Sequence, residues 1–82
     1  MTEPDLLRVF VDGRALSLRR PSTVVDAIRA FDAGVAGDVL SGVRAVTDSR
    51  GLPVALDAEV MGGTVLRVVS ARAVREPGMT GP

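Results

Sequence analysis

The sequence predicts a small two-layer α+β domain, in which one face of a β-sheet is covered by a helix. Short apolar segments alternate with polar residues, as is typical of half-buried strands. One segment, 24–31, has its apolar residues at helical spacing instead. The chain has 82 residues, which is enough for a single core. We expect one domain over 6–71, with flexible termini at 1–5 and 72–82.

Residues 6–20 predict a β-hairpin. The run 6–11 is apolar and β-branched, and it ends at Asp12-Gly13, a pair that favours two-residue hairpin turns. The return run alternates polar and apolar residues and places two leucines on one face. Pro21 is expected to end this second strand.

The following segment predicts an amphipathic helix. Thr23 can cap its N-terminus, and Asp26 three residues later completes the pattern of a capping box. Gly34 and Gly37 are expected to end the helix and turn the chain. The apolar stripe at i, i+3, i+4 and i+7 consists of Val24, Ala27, Ile28 and Phe31.

The second half of the chain predicts three extended segments. A strand is expected over 43–47, and a short strand or extended segment over 53–56, whose proline favours an edge position. A glycine-rich turn at 61–64 precedes the last strand, 65–69.

The composition argues against catalysis. The chain has no Cys, His or Lys, so it lacks a thiol nucleophile, the usual general base and a Schiff-base amine. Ten basic residues balance ten acidic ones, and two phenylalanines are too few for stacking bases, which argues against binding to nucleic acid. No apolar run approaches the roughly 20 residues of a membrane span. We expect a cytoplasmic, non-enzymatic protein with no cofactor or metal.

Several segments resemble the bacterial sulfur carriers for thiamine and molybdopterin. Residues 7–13 are similar to the glycine-turn hairpin of that family, and residues 21–28 to its Thr-Val-x-Asp helix start. Residues 43–47 and 61–68 resemble its third strand and its final turn and strand. The resemblance covers about residues 6–69. It implies the ubiquitin-like β-grasp fold, a ββαββ arrangement whose mixed sheet packs on one helix, with its first and last strands parallel neighbours.

The C-terminus departs from that family. Such carriers end in Gly-Gly, whose carboxylate a partner enzyme adenylates, and a tail without side chains can enter a narrow channel. This chain ends with Gly78 and Gly81 separated by Met79 and Thr80 and followed by Pro82. Carrier activity would therefore require removal of Pro82 to expose Gly81, and even then Thr80 would stand in place of the penultimate glycine.

Strand alternation predicts an apolar surface ringed by arginines on the sheet face away from the helix, the outer face. Such a surface is typical of protein binding, although scattered apolar side chains on an open sheet also occur without any role. The residues expected to face the helix are Leu7, Val9, Val11, Val43, Ala45, Leu66 and Val68. Those expected on the outer face are Arg8, Phe10, Arg44, Val46, Val65, Arg67 and Val69.

Two functional hypotheses follow. The first is a binding module whose outer face docks another protein. The second is a sulfur carrier or protein modifier, with Gly78 and Gly81 in the reactive tail and an adenylating enzyme as its partner. The thin core of so short a chain predicts a monomer of modest stability or a weak homodimer.

Overall fold

A computed structural model describes residues 5–72, which form one mixed sheet and two helices. Residues 1–4 and 73–82, which include most of the predicted termini and both tail glycines, lie outside the described residues. The elements in chain order are β1 (Leu6–Val11), β2 (Arg14–Arg19), α1 (Val24–Phe31), α2 (Ala33–Leu40), β3 (Arg44–Asp48) and β4 (Val65–Ser70).

The sheet has the strand order β2-β1-β4-β3. The central pair, β1 and β4, is parallel, and each is flanked by an antiparallel neighbour. Helix α1 packs on β1 and β2, and α2 packs on β3. The α+β class predicted from the sequence is confirmed, and the first and last strands lie side by side.

The predicted hairpin is present. β1 and β2 pair along their whole length, from Leu6 opposite Arg19 to Val11 opposite Arg14. Asp12 and Gly13 form the turn with φ angles of 50° and 85°. Positive φ at both positions is what a type I′ turn requires, and its twist matches the twist of the strands.

The start of α1 is also as predicted. The Thr23 side-chain oxygen accepts the Asp26 N–H at 3.3 Å, and the Thr23 N–H donates to the Asp26 carboxylate at 3.0 Å. These reciprocal bonds form a capping box. The predicted apolar stripe faces the sheet and joins the core.

The end of the helix differs from the prediction, because Gly34 and Gly37 lie inside a second helix, α2. The break falls at Asp32, whose backbone is extended, with φ −169° and ψ 119°. The Asp32 N–H donates to the Ile28 carbonyl, and its carboxylate accepts the Gly34 N–H at 2.8 Å. One residue therefore ends α1 and caps α2. Each helical glycine costs about 1 kcal/mol, which the packing of α2 offsets.

The phase of β3 is opposite to the prediction. Val43, expected on the helix side, is 61% exposed ahead of the strand, and Ala45 is on the outer face. Val46 is only 2% exposed and lies opposite Val68, so it faces the helices. Arg44, two residues earlier on the same strand, is also on the helix side of the sheet and not on the outer face. Both sets of alternate residues in this short strand contain an apolar residue. Alternation therefore does not determine which set faces the helices, and packing against the rest of the core does.

The core lies between the sheet and the helices. The segment predicted as extended at 53–56 runs along the edge of β3, where the Val54 N–H donates to the Val46 carbonyl at 3.0 Å. Within residues 5–72, neither helix is long and apolar enough to cross a bilayer. The buried cluster comprises Leu7, Val9, Val11, Leu18, Val24, Ala27, Ile28, Ala36, Val39, Val46, Val60 and Leu66.

Candidate functional site

The outer face is the sheet surface that no helix of the described chain covers. Alternate residues of β1 and β4, such as Val9 and Leu66, are buried against the helices. The residues between them project from the opposite side of the sheet. The strand residues on this side are Leu6, Arg8 and Phe10 of β1, Ala15, Ser17 and Arg19 of β2, Ala45 of β3, and Val65, Arg67 and Val69 of β4. Thr47 of β3 has the same phase but is buried, with 2% of its surface exposed.

An apolar row crosses the middle of the outer face. Phe10 lies beside Val65 in the parallel pair and opposite Ala15 in the hairpin. Phe10 is half-buried and Val65 is 40% exposed. Because neighbouring strands are about 4.8 Å apart, the three side chains form a continuous strip about 10 Å wide. We refer to Ala15, Phe10 and Val65 as the apolar row.

Two arginines lie on opposite sides of the apolar row. Arg8 comes two residues before Phe10 on β1, and Arg67 comes two residues after Val65 on the parallel strand β4. With a rise of about 3.3 Å per residue, their Cα atoms are about 13 Å apart along the strands. A third arginine, Arg19, is on β2 and diagonally adjacent to Arg8.

These three arginines differ from the others in the described chain, because their guanidinium groups have no hydrogen-bond, ion-pair or ring partner there. Arg20 and Arg72 both have an interaction. The remaining partners are Asp26 for Arg29 at 3.6 Å, Asp38 for Arg44 at 3.2 Å, Asp48 for Arg50 at 3.2 Å and the Phe31 ring for Arg14 at 5.5 Å. The unpartnered positive charge of residues 5–72 is thus concentrated on the outer face.

The carboxylates are placed elsewhere. None of the strand residues on the outer face is acidic, and Asp12 at its margin uses its carboxylate to accept the Val68 N–H at 3.1 Å. Asp26 lies at the start of α1, where hydrogen bonds from the Thr23 backbone and hydroxyl lower the pKa of its carboxyl group. In the turn after β3, the Leu52 N–H lowers the pKa of Asp48. Both carboxylates stabilise local backbone structure. Neither has a pKa raised toward neutral pH, as a general acid would require.

An open cleft of about 460 Å³ borders the outer face. It is lined by Asp12, Gly13, Val65, Leu66 and Arg67, so it adjoins the end of the apolar row at the hairpin turn. Within residues 5–72, no group of three acidic side chains is arranged to hold a metal ion. The cleft therefore presents the Arg67 guanidinium and the Asp12 carboxylate beside apolar wall atoms.

The predicted site residues separate into three groups. Arg8, Phe10, Val65, Arg67 and Val69 lie together on the outer face, as expected. The predictions for Arg44 and Val46 are wrong: Arg44 pairs with Asp38 of α2, and Val46 is in the core. The tail glycines Gly78 and Gly81 lie outside the described residues.

The prediction missed the contribution of β2. Because Leu16 and Leu18 face the helices, the alternation of this strand places Ala15, Ser17 and Arg19 on the outer face. The spacing of the two leucines, which indicates this placement, was present in the sequence.

No family model matches this chain, and neither does any curated protein or solved structure at a significant level.

Proposed function

We propose that this chain is a non-catalytic, cytoplasmic binding module of the ubiquitin-like β-grasp type, which docks another protein on its outer face. The observation that carries the proposal is the apolar row flanked by arginines without partners. The strand order β2-β1-β4-β3, with a parallel central pair and helices on one side, supports the β-grasp relationship. The second helix, α2, departs from a one-helix ββαββ pattern.

The size of the outer face favours a transient contact. Four strands of five or six residues give a surface of about 18 by 15 Å, or about 270 Å². A stable interface buries about 800 Å² per partner. A partner that covers only this sheet face would therefore bind weakly and reversibly.

The residue composition of the outer face is more typical of a protein-binding surface than of a surface that contacts only solvent. Aromatic residues and arginine are enriched at binding hot spots, and Phe10 lies directly between the positions of Arg8 and Arg67 along the sheet. Covering Phe10 and Val65 would gain about 25 cal/mol per Å² of apolar surface.

The sulfur-carrier hypothesis stays a prediction, because its reactive residues lie outside the described residues. It differs from the binding module in a measurable way. A carrier recovered from its host would have lost Pro82 or exchanged one oxygen of its C-terminal carboxylate for sulfur, whereas a pure binding module would show neither mass change. Intact-mass spectrometry of the protein isolated from its host distinguishes them.

Site-specific crosslinking tests the proposed function. A photoreactive amino acid is placed at Ser17, which is exposed on the outer face, or at Arg29, which is exposed on α1. We expect the Ser17 position to crosslink a discrete host protein in cells, and V65S to abolish that crosslink. Equal crosslinking of the same protein from Arg29, unaffected by V65S, would place the binding surface on the helices and contradict the proposal.

A further inference from the structure

We propose that the occupant of the outer face is an acidic protein segment, whose carboxylates lie on both sides of an apolar residue. This inference rests on the proposed function and specifies the chemistry of the partner. It is carried by charge complementarity between the partner and three arginines whose guanidinium groups are free within residues 5–72.

The arginines supply donors that a carboxylate can use. A guanidinium group presents a planar fork of N–H donors that matches two carboxylate oxygens. Arg29, Arg44 and Arg50 each form an ion pair with a carboxylate of this chain. Within residues 5–72, Arg8, Arg19 and Arg67 have no such partner, so their guanidinium groups are available to the carboxylates of another molecule.

The spacing of these charges matches an extended segment. Arg8 and Arg67 are about 13 Å apart along the sheet, which is the length of four residues of extended chain. In such a segment, residues i, i+2 and i+4 face the same side. Carboxylates at i and i+4 then reach Arg8 and Arg67, and an apolar side chain at i+2 covers the apolar row.

Two other occupants fit less well. A second copy of this chain, related by a two-fold axis, would bring the same three arginines face to face, and their repulsion would oppose association. Nucleic acid needs more phosphate contacts than three arginines provide, and the one aromatic ring here, Phe10, is half-buried. An acidic segment uses both the charges and the apolar row.

A peptide titration tests the inference. The probe is Ser-Glu-Thr-Leu-Thr-Glu-Ser, and its matched control replaces both Glu residues by Gln. Binding is followed through the backbone amide NMR signals of the full chain at low salt and at 200 mM salt. We expect the acidic peptide to shift the signals of β1 and β4, to bind at least three-fold more tightly than the control, and to weaken at high salt.

Substitutions then locate the charges. We expect R8Q and R67Q each to weaken the acidic peptide by about two- to five-fold, which is the usual effect of one exposed ion pair, and R29Q to leave binding unchanged. These side chains are exposed, so the variants should keep the fold, which the NMR spectrum verifies. Equal affinity for the control peptide, absence of millimolar binding by the acidic peptide, or unchanged binding in R8Q and R67Q would overturn the inference.

The remaining outcomes are also informative. Tighter binding of an eight-nucleotide oligothymidylate than of the acidic peptide, or dimerisation in sedimentation at the same concentration, would replace the acidic segment by the corresponding occupant. If the Ser17 crosslink is lost in V65S but persists in R8Q and R67Q, the outer face binds a partner whose chemistry is not acidic. In that case the proposed function stands and the further inference fails.

Discussion

The Asp12 carboxylate accepts a hydrogen bond from the Val68 backbone N–H, at an oxygen–nitrogen distance of 3.1 Å, across 56 residues of sequence. Asp12 follows the last residue of β1, and its own N–H donates to the Leu66 carbonyl at 3.0 Å. The hairpin turn therefore continues the parallel β1–β4 ladder past the end of β1. It also fixes the wall of the cleft that adjoins Arg67.

Replacing Asp12 tests this connection. In D12A the Val68 N–H loses its acceptor and alanine must adopt a positive φ, so we expect a loss of about 1–2 kcal/mol in the free energy of unfolding. D12N keeps a side-chain acceptor and tolerates positive φ, so it should lose less than half as much. Urea denaturation measures both. Equal losses in the two variants would mean that the hydrogen bond contributes little.

The phase of β3 makes a second prediction. Val46 is 2% exposed, whereas Val65 is 40% exposed on the outer face. V46A should therefore lower the free energy of unfolding by about 2 kcal/mol, and V65A by about 0.5 kcal/mol or less. Thermal and urea unfolding of the two variants check this difference. A larger loss in V65A would restore the opposite phase, with Val46 on the outer face.

The glycines of the α2 region predict changes of opposite sign. Gly37 lies inside α2, and a Cβ there would meet no atom within 4 Å, so G37A should stabilise the fold by about 0.5–1 kcal/mol. Gly42 also has open space, but its φ is +90°, so G42A should destabilise by about 1 kcal/mol. The pair serves as its own control in chemical denaturation. Destabilisation by G37A would argue that residue 37 is not helical.

The capping box predicts a dependence of stability on pH. The Thr23 N–H and hydroxyl hold the pKa of Asp26 below its ordinary value in the folded state. The ionised carboxylate therefore stabilises the fold above about pH 4, and this contribution is lost as the pH falls through the folded pKa. D26N removes the titrating group, so its stability should fall less steeply than that of the unmodified chain below pH 4. Identical acid slopes in urea denaturation would show that the capping box is not formed in solution.

Much of the fold could be predicted because some signals are local. Asp12-Gly13 specifies its turn through the backbone angles that these residues tolerate, and the Thr23 capping box depends only on residues three apart. The placement of Arg8 and Phe10 follows from the period of a strand with one strongly apolar face. The turn, the capping box and the positions of Arg8 and Phe10 could therefore be predicted without knowing which distant residues are in contact.

The remaining parts depend on packing between distant residues. Asp32 carries a good N-cap side chain, but whether it breaks a helix depends on how the following turn packs on the sheet. Likewise, β3 offers an apolar residue in each phase, and Val46 is selected because it meets Val68 of β4. The bond from Val68 to Asp12 joins residues too far apart in sequence for any local pattern to indicate.

Cross-saturation transfer from the partner captured through Ser17 to the methyl groups of this chain tests whether the partner docks on the outer face. Val65 and Leu40 are both exposed, at 40% and 56%, but Val65 lies on the outer face and Leu40 at the end of α2. Docking on the outer face predicts that the Val65 and Val69 methyl signals lose intensity when the partner is saturated, while those of Leu40 do not. Loss of intensity at Leu40 with no change at Val65 and Val69 would mean that the partner docks on the helices and not on the outer face.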